Sequence, residues 1–404
     1  MVPHAAPGDL VEVEIASETR DYAMARLQRV VRPGPDRRSS PCPYLPRCGG
    51  CDWQHISYDG QLRLKGEIVA RELKRALNYD ADPAHLVEPS PSEFGYRSRI
   101  RLCVGPGGEL GFREPGGRGL VAIDRCLVAD PALQMPRELA QLFGRQCREI
   151  EVVTCDGGTA TVAHLGSHAS SGELETLRKL VEREAVGLRS HGLCGVVLRA
   201  GARRAAWGNT TVSLEVEPGL SLDLEADLFS QVNRVQNRKL VGTVMAFAAI
   251  EPGLSVFDLF CGAGNLSLPA VRRGASVLGA DVDAQAIEAA ARNAQRLGLA
   301  QARFVTLNAA EMTDFLARAG YRPAVVVLDP PRGGAARLVE PLAKLCAPRL
   351  VYVSCNLATL VRDLRGLAVA GYCLEQVRAF DFFPNTHHVE LVASLVLTSN
   401  ARRS

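Results

Sequence analysis

The chain has 404 residues, enough for two or three domains at roughly 150 residues each; 47% are hydrophobic, 23% are charged, and 37 Gly and 23 Pro complete a globular rather than a disordered or collagen-like balance. The 47 basic and 44 acidic residues leave a net charge of +3, so charge alone argues for neither a nucleic-acid nor a membrane-surface partner. Apolar runs break off before the roughly 18 residues a membrane span requires, and MVPHAAPGDLVEVEI lacks the basic and apolar regions of a secretory leader, so a cytoplasmic enzyme with no membrane partner is expected.

Residues 10–15 and 22–30 alternate apolar and polar side chains and predict two strands of a small β piece. The linker RPGPDRRSSP then leads into CPYLPRCGGCDWQH, where Cys42, Cys48 and Cys51 cluster tightly. Twelve cysteines in a chain without a secretory signal should mostly be reduced thiols, so this spacing points to metal or catalysis rather than to disulfides. Most of the other cysteines sit beside Leu, Val or Ala as small core hydrophobes.

Residues 61–77, QLRLKGEIVARELKRAL, carry apolar side chains at helical spacing and predict an amphipathic helix. From about residue 91 to 228, short β runs such as YRSRIRLCV, EIEVVTC and TATVAHL are separated by Gly-rich turns and predict a β-rich central domain. After about residue 229 strands and helices alternate through SVFDLF, SVLGADVD, ARFVTLN, AVVVLDPP, RLVYVSC and LVASLVL, which predicts a doubly wound, mostly parallel sheet.

In that last region the first strand runs into CGAGNLSLPA, where Gly262 and Gly264 allow a sharp turn beside a ligand. Asp281 ends the next strand, where a carboxylate can take both ribose hydroxyls of a nucleoside. The third glycine of a dinucleotide fingerprint is missing, so an S-adenosyl-L-methionine (SAM) pocket fits better than a pyrophosphate site. Asn308, after the third strand, could bond an adenine edge or simply make a turn. Asp329 ends the fourth strand and Cys355 the fifth, both near the topological switch point where ligands sit. A helix starting after Cys355 is expected to lower the thiol pKa, and Glu390, taken as an exposed carboxylate at the start of the last strand beside His387 and His388, would supply a base. Arg97, Arg99 and Arg101 alternate along one strand, either as a phosphate-facing row or, more simply, as solvated side chains.

Together CPYLPRCGGCDWQH, FSQVN, DLFCGAGN, LDPPRGG, SCNLATLVRD and FPNTHHVE resemble the bacterial RNA (uracil-5-)-methyltransferases, especially the iron-sulfur members that methylate 23S ribosomal RNA. The resemblance runs from the linker before Cys42 to the last strand. It implies an α/β fold: a Rossmann-like class I SAM-dependent methyltransferase domain at 229–404, a central iron-sulfur β-rich domain at 41–228, and a partial TRAM-like (OB-like) RNA-binding segment at 1–40. A helix near 58–91 is expected to pack on the methyltransferase domain.

The same resemblance assigns Cys355 as nucleophile and Glu390 as general base, and Gln231, Phe260, Asn265, Asp281, Asn308 and Asp329 as cofactor-binding positions. It implies a 4Fe-4S cluster on Cys42, Cys48, Cys51 and Cys126, with zinc as the alternative for four thiolates. The implied substrate is 23S rRNA first and tRNA second, for an enzyme acting as a monomer. The pattern departs from the family at Leu357, where SCNP is common, at Asn385, where FPHT is common, and at the N-terminal β piece, which resembles only the second half of a TRAM domain. Rival readings are an RNA cytosine-5-methyltransferase, which usually carries a second cysteine where this chain reads DPPR, an exocyclic-amine methyltransferase, which would place an aromatic residue at Arg332, and a non-catalytic RNA-binding protein.

Overall fold

The computed structural model describes residues 2–117, 119–155 and 157–398. Backbone contacts divide the chain into two compact units, one of residues 1–64, 92–210 and 383–387, the other of residues 65–91, 211–382 and 388–404.

The first unit opens with an antiparallel hairpin, Leu10–Glu18 with Ala23–Arg32. No further strand joins this hairpin among the described residues. Leu10, Val13, Ile15 and Val31 stay exposed on it, as expected where a two-stranded sheet has too little area to bury a face. The unit's main sheet has seven strands, in the spatial order 203–208, 193–200, 158–165, 147–155, 99–104, 110–113 and 120–122. All its pairings are antiparallel except that between Gly158–Leu165 and Leu193–Ala200. Helices Arg137–Phe143 and Ser171–Arg183 bury Leu139, Phe143, Leu174, Leu177 and Val181 in the core beneath this sheet. Cys155 and Cys194 lie in disulfide contact, an exception to the expectation of reduced thiols.

The second unit is built on strands β1 (Ser255–Leu259), β2 (Ser276–Asp281), β3 (Ala302–Thr306), β4 (Val325–Leu328), β5 (Arg349–Ser354), β6 (Tyr372–Phe380) and β7 (Glu390–Leu397). Their order is β3-β2-β1-β4-β5-β7-β6, with Val87–Glu88 at the outer edge. The pairings from β3 to β5 are parallel; β7 runs antiparallel to β5 and β6. The strands β1, β4 and β5 are almost continuously apolar and buried, the pattern of a sheet covered on both faces.

The expected single helix near 58–91 is three elements: Tyr58–Leu77, the short Pro83–Leu86 and the strand Val87–Glu88. Asp82 caps the second helix and Pro83 opens it, which starts a new helix instead of continuing the old one. Val69 and Leu73 of the long helix are fully buried in the second unit's core. The hairpin Thr211–Glu217 with Leu220–Glu225, inside the expected central β domain, falls with the second unit. A long-range pair ties it there: Asn293, on helix Ala284–Arg296, accepts the Asp223 N–H at 2.9 Å and donates to the Asp223 carbonyl at 3.0 Å.

Candidate active site

The carboxyl ends of β1, β2, β4 and β5 lie side by side because their registers match. Leu259 pairs with Ala280 and with Leu328, and Leu328 pairs with Tyr352, so Phe260 and Asp329, just beyond their strands, stand level with Asp281, the last residue of β2. On the other side, Ser354 pairs with Leu391, which makes Cys355 and Glu390 the next residues of their antiparallel strands.

The turn after β1 takes a left-handed backbone at Gly262 (φ 51°) and Gly264 (φ 95°), which glycine adopts without a steric penalty. Phe260 is left-handed too, at φ 63°, an unusual state for a bulky residue. The Asp281 carboxylate clamps this turn: it accepts the Gly262 N–H at 2.9 Å and the Asp283 N–H at 3.0 Å. Asn265 exchanges two amide hydrogen bonds, 2.8 and 3.0 Å, with Asn237 of helix Arg234–Ala248. Gln231 lies half-buried just ahead of Asn233, which caps that helix. Asn308 caps helix Ala309–Arg318 by accepting the Ala310 N–H at 2.9 Å, so its side-chain oxygen does the turn work that the sequence left open. Asn237 and the buried Asp258 had no signal in the sequence. Asp258 accepts the Ser267 hydroxyl at 2.5 Å, and burial, with the Asp329 and Asp281 charges behind it, pushes its carboxyl up to about 7.

Cys355 is half-buried directly before helix Leu357–Val369, whose N-cap Asn356 accepts the Ala358 N–H at 3.1 Å. The thiol is nevertheless raised, not lowered: burial dominates, the Glu390 carboxylate adds to it and so does Asp329, while Arg332 pulls the other way. Glu390 is buried, only 3% exposed, which corrects the expectation of an exposed strand start. Burial and then the Asp329 charge hold its carboxyl well above the usual range, again against Arg332. Asp329 is itself raised by burial. One nucleophile, two carboxyls raised by burial and one guanidinium therefore share a single electrostatic environment.

The Asp-Pro-Pro-Arg loop is fixed by the helix after Cys355. The Arg332 carbonyl accepts from Asn356 Nδ2 at 3.1 Å and from Thr359 Oγ1 at 3.3 Å, and the Gly333 carbonyl accepts from Arg362 at 2.9 Å. Asp363, buried and unremarked in the sequence, accepts the Ala335 N–H at 2.6 Å and the Tyr352 hydroxyl at 2.7 Å through one oxygen. Leu357 occupies the first helical position, where proline is also favoured, so the departure there leaves the helix start intact.

In the first unit Cys42, Cys48, Cys51 and Cys126 line one cavity together with Tyr44, Gln54, Arg97 and Phe112. Cys48 lies beside Gly49, whose N–H donates to the Arg113 carbonyl at 2.9 Å; a Cβ at Gly49 would stand 2.8 Å from that oxygen, so only glycine permits the approach. Burial pushes the Cys51 thiol up to about 12 and raises those of Cys48 and Cys126, and each of the three is raised further by the charge of one or more of the others in the set. Among the described residues no group of three or more His, Cys, Asp or Glu is arranged to hold a single metal ion.

His387 is turned to Asp52, its backbone N–H donating at 3.1 Å and its Nδ1 in contact with the second oxygen. Asn385 is fully buried at φ 68°, which asparagine tolerates. Its amide donates to the Glu93 carbonyl at 2.7 Å and its carbonyl accepts the Trp53 N–H at 3.0 Å, so this departure from the family pattern ties three segments together. Arg99 and Arg101 both pair with Glu151.

Residues 213–398 match the tRNA (uracil-5-)-methyltransferase family. A 23S rRNA (uracil(1939)-C(5))-methyltransferase RlmD of Shewanella amazonensis is 32% identical over 98% of this chain and 90% of its own length. The enzyme of the same name from Pseudomonas putida is 33% identical over 97% and 87%. Among solved structures, the Pyrococcus abyssi tRNA (uracil-54, C5)-methyltransferase in complex with S-adenosyl-L-homocysteine superposes with a TM-score of 0.73, at 26% identity over 98% of this chain and 95% of that one.

Proposed function

The chain belongs to the RNA (uracil-5-)-methyltransferase family, and from that premise we propose that it methylates C5 of a specific uridine in 23S rRNA, with SAM as methyl donor and Cys355 as nucleophile. The observation that carries the reaction is the meeting of Cys355, Asp329 and Glu390 at the ends of β5 and β4 and the start of β7.

Uracil C5 is too weak a nucleophile to take a methyl group unaided. The Cys355 thiol gives up its proton to solvent and the sulfur adds to C6, the electron pair moves through C5 to the O4 enolate, and C5 then attacks the sulfonium methyl, whose bond to the donor sulfur breaks to release the thioether. Glu390 removes the C5 proton, the electron pair re-forms the C5–C6 double bond, and the thiolate leaves. Access to C6 requires the uridine to be flipped out of its stack. Arg332 offsets the negative charge of thiolate and carboxylate, and desolvation makes the buried Glu390 carboxylate a stronger base for the C5 proton. Gln231, Phe260, Asn265, Asp281, Asn308 and Asp329 form the proposed SAM pocket around the glycine turn.

Cys42, Cys48, Cys51 and Cys126 would hold a 4Fe-4S cluster. Four thiols around one cavity suit its donor set, and metal binding would offset the burial that opposes their ionisation. Such a cluster supplies a rigid cross-link between the segment holding Cys42, Cys48 and Cys51 and the loop of Cys126. We further read 1–40 as an RNA-binding segment, 41–228 as the cluster-bearing part and 229–404 as the methyltransferase part, in a monomeric cytoplasmic enzyme whose own chain supplies every reacting group.

A tRNA substrate is the second reading, favoured by the full-length structural match to a tRNA-modifying enzyme. Methyl-labelled SAM offered with equal amounts of unmodified 23S rRNA and tRNA transcripts decides between them. Label is expected in 23S rRNA; label confined to tRNA would overturn the choice of substrate.

A further inference from the structure

Two arginines, Arg97 and Arg125, line the cavity of the four cysteines. Arg97 lines it beside the thiols, and its backbone is stitched to the loop that follows Cys126: the Arg97 N–H donates to the Val128 carbonyl at 2.9 Å, and the Asp130 N–H donates to the Arg97 carbonyl at 2.8 Å. Its guanidinium carbon stands 6.0 Å from the Tyr96 ring centre and 5.4 Å from that of Phe383, so aromatic faces fix its position. Arg97 Nε is buried and has no hydrogen-bond partner among the described residues. Arg99 and Arg101, on the strand that follows, are by contrast paired with Glu151.

A buried N–H on a cation without an acceptor is unfavourable by itself, and neutral thiols are poor acceptors. An iron-sulfur cube on four thiolates is an anion that presents sulfur acceptors and needs a counter-charge. We propose that Arg97 is the positioning residue of the iron-sulfur centre, its guanidinium supplying both the compensating charge and N–H donation to cluster sulfur. The proposal rests on the cluster reading above.

The test uses full-length protein and its Arg97→Gln and Arg97→Lys variants, each reconstituted anaerobically with ferrous iron and sulfide. Three properties are read: iron and sulfide content, the rate of cluster loss to a chelator, and the reduction midpoint potential; SAM affinity checks folding. Arg97→Gln is expected to lose the cluster about ten-fold faster or more, the usual effect of removing an outer-shell partner. Its midpoint should also move to more negative potential, because the electron enters an anion with one cation fewer beside it. Arg97→Lys should restore most of the potential, through its charge, and less of the retention, since it lacks the planar fork.

Wild-type retention and potential in Arg97→Gln would overturn the role while leaving the cluster in place. Wild-type protein that takes up no iron and sulfide would overturn the cluster and the role together. Should Arg97→Gln lose SAM affinity as well, Arg97→Lys decides: a potential near wild type with faster cluster loss supports the role, and wild-type retention overturns it.

Discussion

At the residue scale, burial outweighs the local dipole. The sequence places Cys355 before a helix, which by itself favours a thiolate, yet the thiol sits among buried carboxyls and is raised. Its activation then depends on the arrival of substrate and on Arg332, not on a standing thiolate. Asp258 carries the same physics without a proposed chemical role. Its carboxyl is raised from an ordinary 3.8 to about 7, so the folded protein holds a proton that the unfolded chain releases. Its contribution is therefore fully present below about pH 4 and is lost as the pH climbs to about 7, a loss of up to about 4 kcal/mol. Asp258→Asn keeps an acceptor for Ser267 and has nothing to titrate. In urea unfolding at stepped pH, wild-type stability should fall relative to Asp258→Asn across this window; parallel curves would show that Asp258 is ionised in the fold.

At the element scale, the alternation of apolar strand and amphipathic helix after residue 229 was legible because parallel strands buried on both faces are continuously apolar, and β1 to β5 and β7 follow the expected order along the chain, while β6 was not foreseen. What the periodicity could not carry is which surface a strand pair joins. The hairpin at 211–225 reads like the β runs before it, and a long-range pair, Asn293 with the Asp223 backbone, assigns it to the second unit. Asp363 was equally silent, being one aspartate on a helix with nothing local to distinguish it. Its oxygen holds the Ala335 N–H and the Tyr352 hydroxyl, and so ties the loop of Arg332 to β5. Asp363→Ala leaves both buried donors without this acceptor and should lower stability by roughly 2–5 kcal/mol. Single-turnover methyl transfer should fall with it while SAM affinity holds; unaltered stability and transfer would remove Asp363 from the support of the site.

At the scale of the whole molecule, six short motifs spread over the chain converge on two places. FSQVN, DLFCGAGN, LDPPRGG and SCNLATLVRD, with the Glu390 end of FPNTHHVE, gather around the ends of β1, β4, β5 and β7, whereas CPYLPRCGGCDWQH gathers around the thiol cavity. The chemistry was readable from residue types because a nucleophile, a base and a sulfonium pocket need particular groups at strand ends. The environments were not readable: the burial of Glu390, the pairing of Arg99 and Arg101 with Glu151, and the orientation of Arg97 toward the cysteines all depend on segments distant in sequence. The central claim is that Cys355 adds to C6 of a uridine whose C5 then takes the methyl group. Its most direct measurement uses 23S rRNA transcribed with 5-fluorouridine, in which fluorine replaces the proton that Glu390 must remove, so the methylated adduct cannot be released. Mass spectrometry of the digested protein–RNA complex should find methylated fluorouridine bonded to the peptide containing Cys355, formed only with SAM present and absent from Cys355→Ala. An adduct on another residue, or methyl transfer to ordinary 23S rRNA that persists in Cys355→Ala, would contradict the account.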